Sequence, residues 1–178
     1  MGFDKFRLPF GDSTFLECVV RKLLTIVDGP VVAAASKDTV AEVNLICDSI
    51  EQERLKVVVD QRGDAGPMEG IRAGLESLES DAMWTFVTSC DVPLLCPEIL
   101  DVLQSAIPRH DDGRLEAVMP VSPDRIYGMT AIYRTHVRKK IEAMIEQKSL
   151  RVSALATELN TEEISLDDLR SADPKLES

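Results

Sequence analysis

The stretch TFVTSCDVPLL, residues 85 to 95, decides the fold. β-branched and aromatic residues run into an aspartate, Asp91, and then into Val92 and Pro93. A proline has no N–H to give a central ladder, so the strand has to stop and Asp91 has to lie in a loop beyond its carboxyl end. Upstream, LKVVVD at residues 55 to 60 repeats the pattern and ends on a second acid, Asp60. Between the two, GPMEGIRAGLESLES at residues 66 to 80 places Pro67 in the first turn of a helix, with Met68, Ile71, Leu75 and Leu78 on one face. Strand, helix and strand in that order make a crossover unit, and in open sheets built this way ligands collect beyond the carboxyl ends of the strands. Two carboxylates on that rim suit a cation or a sugar hydroxyl. Aspartate is also a common turn residue, and spacing alone leaves both readings standing.

The same alternation extends outward. STFLECVVRKLLTIV, residues 13 to 27, carries apolar residues at helical spacing behind a polar cap expected at Asp12 or Ser13. PVVAAAS, residues 30 to 36, is short and uniformly apolar and predicts a buried strand, and residues 37 to 51 return to a helical pattern. Past residue 95 come a helix over 97 to 106, a polar turn, the strand EAVMPV and the extended stretch YGMTAIYR. A helix over 135 to 147 follows, and the acidic tail predicts a strand, a short helical turn and a frayed end. The expectation is an α/β fold, three-layer α/β/α around an open, mostly parallel sheet, as one domain over residues 1 to 178.

Composition narrows the partners. Lys and Arg number 20 against 31 Asp and Glu, a formal net charge of −11 that argues against nucleic acid. No apolar run is long enough to span a bilayer and the first residues lack a secretory pattern, so no membrane and a cytoplasmic location are expected. Cys18, Cys47, Cys90 and Cys96 have neither C-x-x-C spacing nor histidines nearby, which predicts reduced structural thiols. With His110 and His136 the only histidines, no serine–histidine–acid or cysteine–histidine set can be built.

Five segments in order, MGFDK at 1 to 5, LPFG at 8 to 11, VD at 59 to 60, GPMEGIRAGL at 66 to 75 and CDVPLL at 90 to 95, resemble the molybdenum cofactor guanylyltransferase family. YGMTAIYR at 127 to 134 is similar to that family's strand leading into a late helix. The resemblance implies a Rossmann-like nucleotidyltransferase that joins GMP from GTP to the phosphate of molybdopterin, with Mg²⁺ as its ion. It also implies transient contact with the enzymes that receive the molybdenum cofactor. Residue by residue it implies Asp91 as metal ligand and Lys5 at the nucleotide phosphates, the two catalytic candidates. Asp60, Ser36 and Gly2 fall in the nucleotide site, and Arg151 is the candidate contact to the acceptor. A divalent cation on a carboxylate and a lysine point charge together suffice to neutralise phosphates for such a transfer, with no side-chain nucleophile.

The chain departs from that family in places. Members begin with a strand and a glycine-rich phosphate loop, and here the sequence starts at the methionine of that motif. The first strand and phosphate loop are therefore expected to be missing, leaving the edges of two neighbouring strands unpaired. Met68 and Glu69 replace leucine and alanine in the loop after Asp60, and Ser36 stands where an asparagine is common. The alternatives are a related transferase using CTP or another phosphorylated acceptor, or a truncated nucleotide-binding domain without catalysis.

Overall fold

The computed structural model describes residues 5–78, 82–107 and 112–172. Gly2, assigned to the nucleotide site by resemblance, and the frayed end at 173–178 lie outside the described residues. A turn of 3-10 helix at Lys5–Arg7 leads into an antiparallel hairpin of β1 (Pro9–Phe10) and β2 (Ser13–Thr14). Helix α1 (Phe15–Ile26) is capped by Thr14, whose Oγ1 accepts from the Glu17 N–H at 3.2 Å. The cap is thus one or two residues later than expected, because Ser13 is drawn into the hairpin.

Next come β3 (Val31–Ser36), α2 (Val40–Asp48), β4 (Leu55–Asp60), α3 (Pro67–Ser77), β5 (Trp84–Thr88) and α4 (Pro97–Ser105). The rest comprises β6 (Ala117–Ser122), β7 (Arg125–Ile126), β8 (Thr130–Arg134), α5 (Arg138–Glu146), α6 (Leu155–Glu158), β9 (Thr161–Ser165) and α7 (Leu166–Ala172). β3 and β4 pair in parallel, residue 31 opposite 55 through 36 opposite 60. A second, five-stranded sheet runs β5-β8-β6-β7, with β9 parallel to β6.

The three-layer α/β/α class stands, and the sheet is mixed rather than mostly parallel. β8 lies antiparallel between β5 and β6, pairing Trp84 with Arg134 on one side and Ala117 with Tyr133 on the other. Parallel neighbours need a long crossover, and β8 is reached from β6 only through the short β7 turn, which leaves room for an antiparallel return alone. Pro120 falls where β6 changes partner from β8 to β7, so its missing N–H sits at a break in the ladder.

Alternation along the strands sorts the helices into two layers. Val118 and Ile132 face α4 together with Trp84 and Phe86. Ala117, Met119, Ala131 and Tyr133 face α3 and α5 through Met68, Ile71, Leu75 and Ile141. In β3, Ala33 and Ala35 turn toward α1 and α2, and Ala34 turns toward Gly70 of α3. Fully buried side chains such as Leu103, Ile141 and Leu155 contribute about 1.5–3 kcal/mol each through burial. Among the described residues, β3 has a strand partner only in β4, and β5 only in β8. Helices α1 and α3 straddle the two sheets on opposite faces. α1 packs Leu16 and Val20 beside β3, and its last turn, Ile26, lies beside Trp84 and Phe86.

Candidate active site

The carboxyl ends of β3, β4 and β5 form one rim, and the 3-10 turn at Lys5–Arg7 fixes it. Phe6 is buried among Leu16, Ala35 and Val43 near the end of β3, and Cys90, past the end of β5, packs against the same cluster. Arg7 pairs with Glu42 of α2 at 2.6 Å. From between them Lys5 extends its Nζ to Asp91 Oδ2, also at 2.6 Å. One short turn thereby links the end of β3 to the loop after β5. Ser36 and Asp60 are register partners, the last residues of β3 and β4. Of the residues singled out in the sequence, Lys5 and Asp91 are in contact, and Ser36 and Asp60 end side by side on the same rim.

The loop carrying Asp91 is held on both flanks. Cys90 is half-buried against the core, Leu95 is buried, the Leu95 N–H donates to the Val92 carbonyl, and Lys22 of α1 donates to the Pro93 carbonyl. Asp91 is held below the usual carboxylate range by the Lys5 ammonium first and the Ser89 hydroxyl second. Its partner effect raises Lys5. Asp91 is therefore ionised and partly open to solvent. Burial, and then Asp91, push the Cys90 thiol up, which fits a packing role.

Asp60 differs. Burial raises its carboxyl, opposed by the Arg62 N–H, which donates to Oδ1 at 2.9 Å, and reinforced by the Glu69 charge. Below it lies a pair that the sequence did not reveal. Glu69, fully buried, accepts from Arg72 Nε and Nη2 at 2.7 and 2.8 Å, and Arg72 also donates to Glu76. Burial pushes Glu69 up, but Arg72 and the Gln61 N–H outweigh it, so the acid stays ionised. Glu69 thus ties the loop after Asp60 to α3. The signal lay in the i, i+3 and i, i+4 spacing of Glu69, Arg72 and Glu76, which reads equally as a solvated face. Arg62, in the same loop, donates to Glu142 at 3.0 Å, and its Nη1 is buried with no hydrogen-bond partner among the described residues.

Arg151 stands apart, exposed at the start of a 3-10 turn over Val152–Ala154. Its neighbour Val152 lies against Gly128, where a Cβ would come within 2.6 Å of Val152 Cγ1 and 3.1 Å of the Tyr133 hydroxyl, so only glycine fits. Gly128 leads into β8, whose Thr130 is paired with Thr88 at the end of β5. Arg151 therefore lies next to the segment that leads into β8, and among the described residues no hydrogen bond or ion pair joins it to Lys5, Ser36, Asp60 or Asp91.

Among the described residues no group of three or more His, Cys, Asp or Glu side chains could cage a metal ion. Asp91, ionised and partly open to solvent, is the kind of single carboxylate that suits a divalent cation which keeps most of its water. No described helix is long and apolar enough to cross a membrane.

The model of the MobA-like NTP transferase domain family matches residues 1–161. A probable molybdenum cofactor guanylyltransferase of Methanothermobacter thermautotrophicus is 29% identical over 178 residues, covering 100% of this chain and 85% of its own length. The crystal structure of molybdopterin-guanine dinucleotide biosynthesis protein A from Archaeoglobus fulgidus superposes with a TM-score of 0.73 at 21% identity, over 98% of this chain and 82% of that one. Rv0371c of Mycobacterium tuberculosis, solved as a complex with manganese, superposes at 0.62 and 18% identity, over 99% of this chain and 94% of that one.

Proposed function

The chain belongs to the MobA-like NTP transferase domain family, which consists of nucleotidyltransferases, and on that premise we propose that it transfers GMP from GTP to the phosphate of molybdopterin in the cytoplasm. An oxygen of the acceptor phosphate bonds to the α-phosphorus of GTP as the bond to the bridging oxygen breaks, and pyrophosphate leaves. The observation that carries this reading is the meeting of Lys5 with Asp91 on the rim where Ser36 and Asp60 end adjacent strands.

Asp91 would hold the Mg²⁺. That ion, when bound, supplies positive charge to the phosphates and the leaving pyrophosphate. Lys5 adds a second, mobile positive charge at the same place, worth most where charge builds up on the oxygens in the transition state. Asp60 and Ser36 offer an acceptor and a hydroxyl to the guanosine side of the nucleotide. The Glu69–Arg72 pair keeps the Asp60 loop in place. Arg151 offers a guanidinium to the acceptor's phosphate, which it can bind bidentately. The family logic asks for one transferase domain over residues 1 to 178.

The test is a binding titration of GTP, CTP and ATP with Mg²⁺, alongside the transfer assay on Asp91→Asn. GTP is expected to bind tightest, and the variant to lose about a hundredfold or more in turnover while its circular dichroism is unchanged. Turnover close to the parent's would remove Asp91 from the mechanism. Preference for CTP would turn the reading to a cytidylyltransferase, and binding without transfer to a nucleotide-binding domain.

A further inference from the structure

We propose that Lys5 and the divalent cation are alternative partners of Asp91, so that arrival of the cation displaces the Lys5 ammonium and frees it for the nucleotide phosphates. The inference rests on the reading of this rim as a nucleotide site and concerns how that site is charged. Lys5 Nζ sits 2.6 Å from Asp91 Oδ2, so that one of the two carboxylate oxygens is already committed to a cation. Repulsion between an ammonium and a divalent ion within bonding distance of one carboxylate disfavours holding both there at once.

Which group yields follows from the anchoring. The loop restrains Asp91, because Cys90 is half-buried against the core before it, Leu95 is buried after it and Lys22 Nζ lies 3.4 Å from the Pro93 carbonyl. The backbone of Lys5 cannot leave either, since Phe6 is buried and Arg7 is paired with Glu42. What can move is the Lys5 side chain, 65% exposed on a flexible four-carbon stem. Exposed pairs of this kind are weak, and a doubly charged ion competes well for the carboxylate. An ammonium released there stays tethered within its own length of the rim. The pair therefore keeps the carboxylate ionised and aligned before substrate arrives and converts metal binding into a second free cation for the triphosphate.

The probe is Mn²⁺, followed by electron paramagnetic resonance and calorimetry on the nucleotide-free protein. Lys5→Met is expected to bind Mn²⁺ about two- to fivefold more tightly than the parent. Lys5→Gln, which keeps a polar end without the charge, should do the same. Adding Asp91→Asn should abolish the gain. With Mn²⁺-GTP the order should reverse, Lys5→Met binding about tenfold more weakly, since it lacks the phosphate contact. Equal or weaker Mn²⁺ binding by both Lys5 variants overturns the exchange, as does a gain that survives Asp91→Asn. Absence of GTP binding by the parent would sink the guanylyltransferase reading instead, and the nucleotide-free arm would then decide the exchange alone.

Discussion

The β3–β4 pair and the five-stranded sheet are secured in different ways. In the larger sheet β6 and β8 have partners on both sides, and side chains lace its lower end together. Glu116 accepts from Lys140 at 2.7 Å and from the Asn160 N–H at 3.0 Å, and His136 lies 3.7 Å away. One carboxylate thus fastens the start of β6 to α5 and to β9. The β3–β4 pair has no such hub. Arg54 does its equivalent work, donating to the carbonyls of Leu24, Val27 and Gly29 and so closing the end of α1 against the start of β3. No described strand joins the two sheets, and the candidate site lies across that join. The relative position of Asp91 and the Ser36–Asp60 pair is therefore set by side chains and by the straddling helices, α1 and α3, and not by a backbone ladder.

The largest effect should come from the pair that keeps α3 intact under both sheets. Arg72→Met strands a fully buried carboxylate and is expected to cost about 3–5 kcal/mol in urea unfolding, with both sheets melting together. The double change Glu69→Ala with Arg72→Met should recover most of that loss. If the single variant melts one sheet only, α3 is not the bridge described. Arg54→Met should cost about 2 kcal/mol, and the loss should be local. Amide exchange in β3 is expected to quicken by about thirtyfold while β6 and β8 keep their protection; uniform acceleration would erase the contrast.

The smallest effect concerns acid. Burial pushes Glu116 up, but Lys140, the Asn160 N–H and His136 together hold it below its usual 4.5. A depressed carboxyl stabilises the fold above the unfolded value and loses that contribution as pH falls through the folded one. At pH 7 Glu116→Gln should cost about 1–2 kcal/mol. Below about 4.5 the variant and parent should converge in melting temperature. A gap that stays constant from pH 7 to 3 would mean that the charge contributes nothing.

Much of this was legible in the sequence because the deciding signals were local. Asp91 lies in a loop beyond β5, although the strand already stops at Thr88, five residues short of Pro93; Pro67 starts α3, and apolar strands alternating with amphipathic helices give the layers. The order of β8 was not legible, since YGMTAIYR alternates equally well in either direction and only the brief β7 turn tells them apart. The Thr14 cap was missed because three successive polar residues could each have served. Lys5 had no local signal at all. Its partner is 86 residues away, and only resemblance drew attention to it. Glu69 stood out only as a departure from the loop of the resembled family, and sequence spacing does not reveal that α3 is covered on that side and buries it.

The strands at the join also bear on how the protein keeps company with itself in solution. VVAAAS and WTFVT carry no charge, and each presents one edge without a described strand partner. Edges of that composition recruit other edges when molecules meet. What keeps the molecules apart at neutral pH is the formal net charge of −11, a long-range repulsion that salt screens and acid removes. Near the isoelectric point of about 4.6 that barrier vanishes. The acidity of this chain is then a colloidal safeguard as well as a surface property, and light scattering should show association rising steeply as either condition is approached.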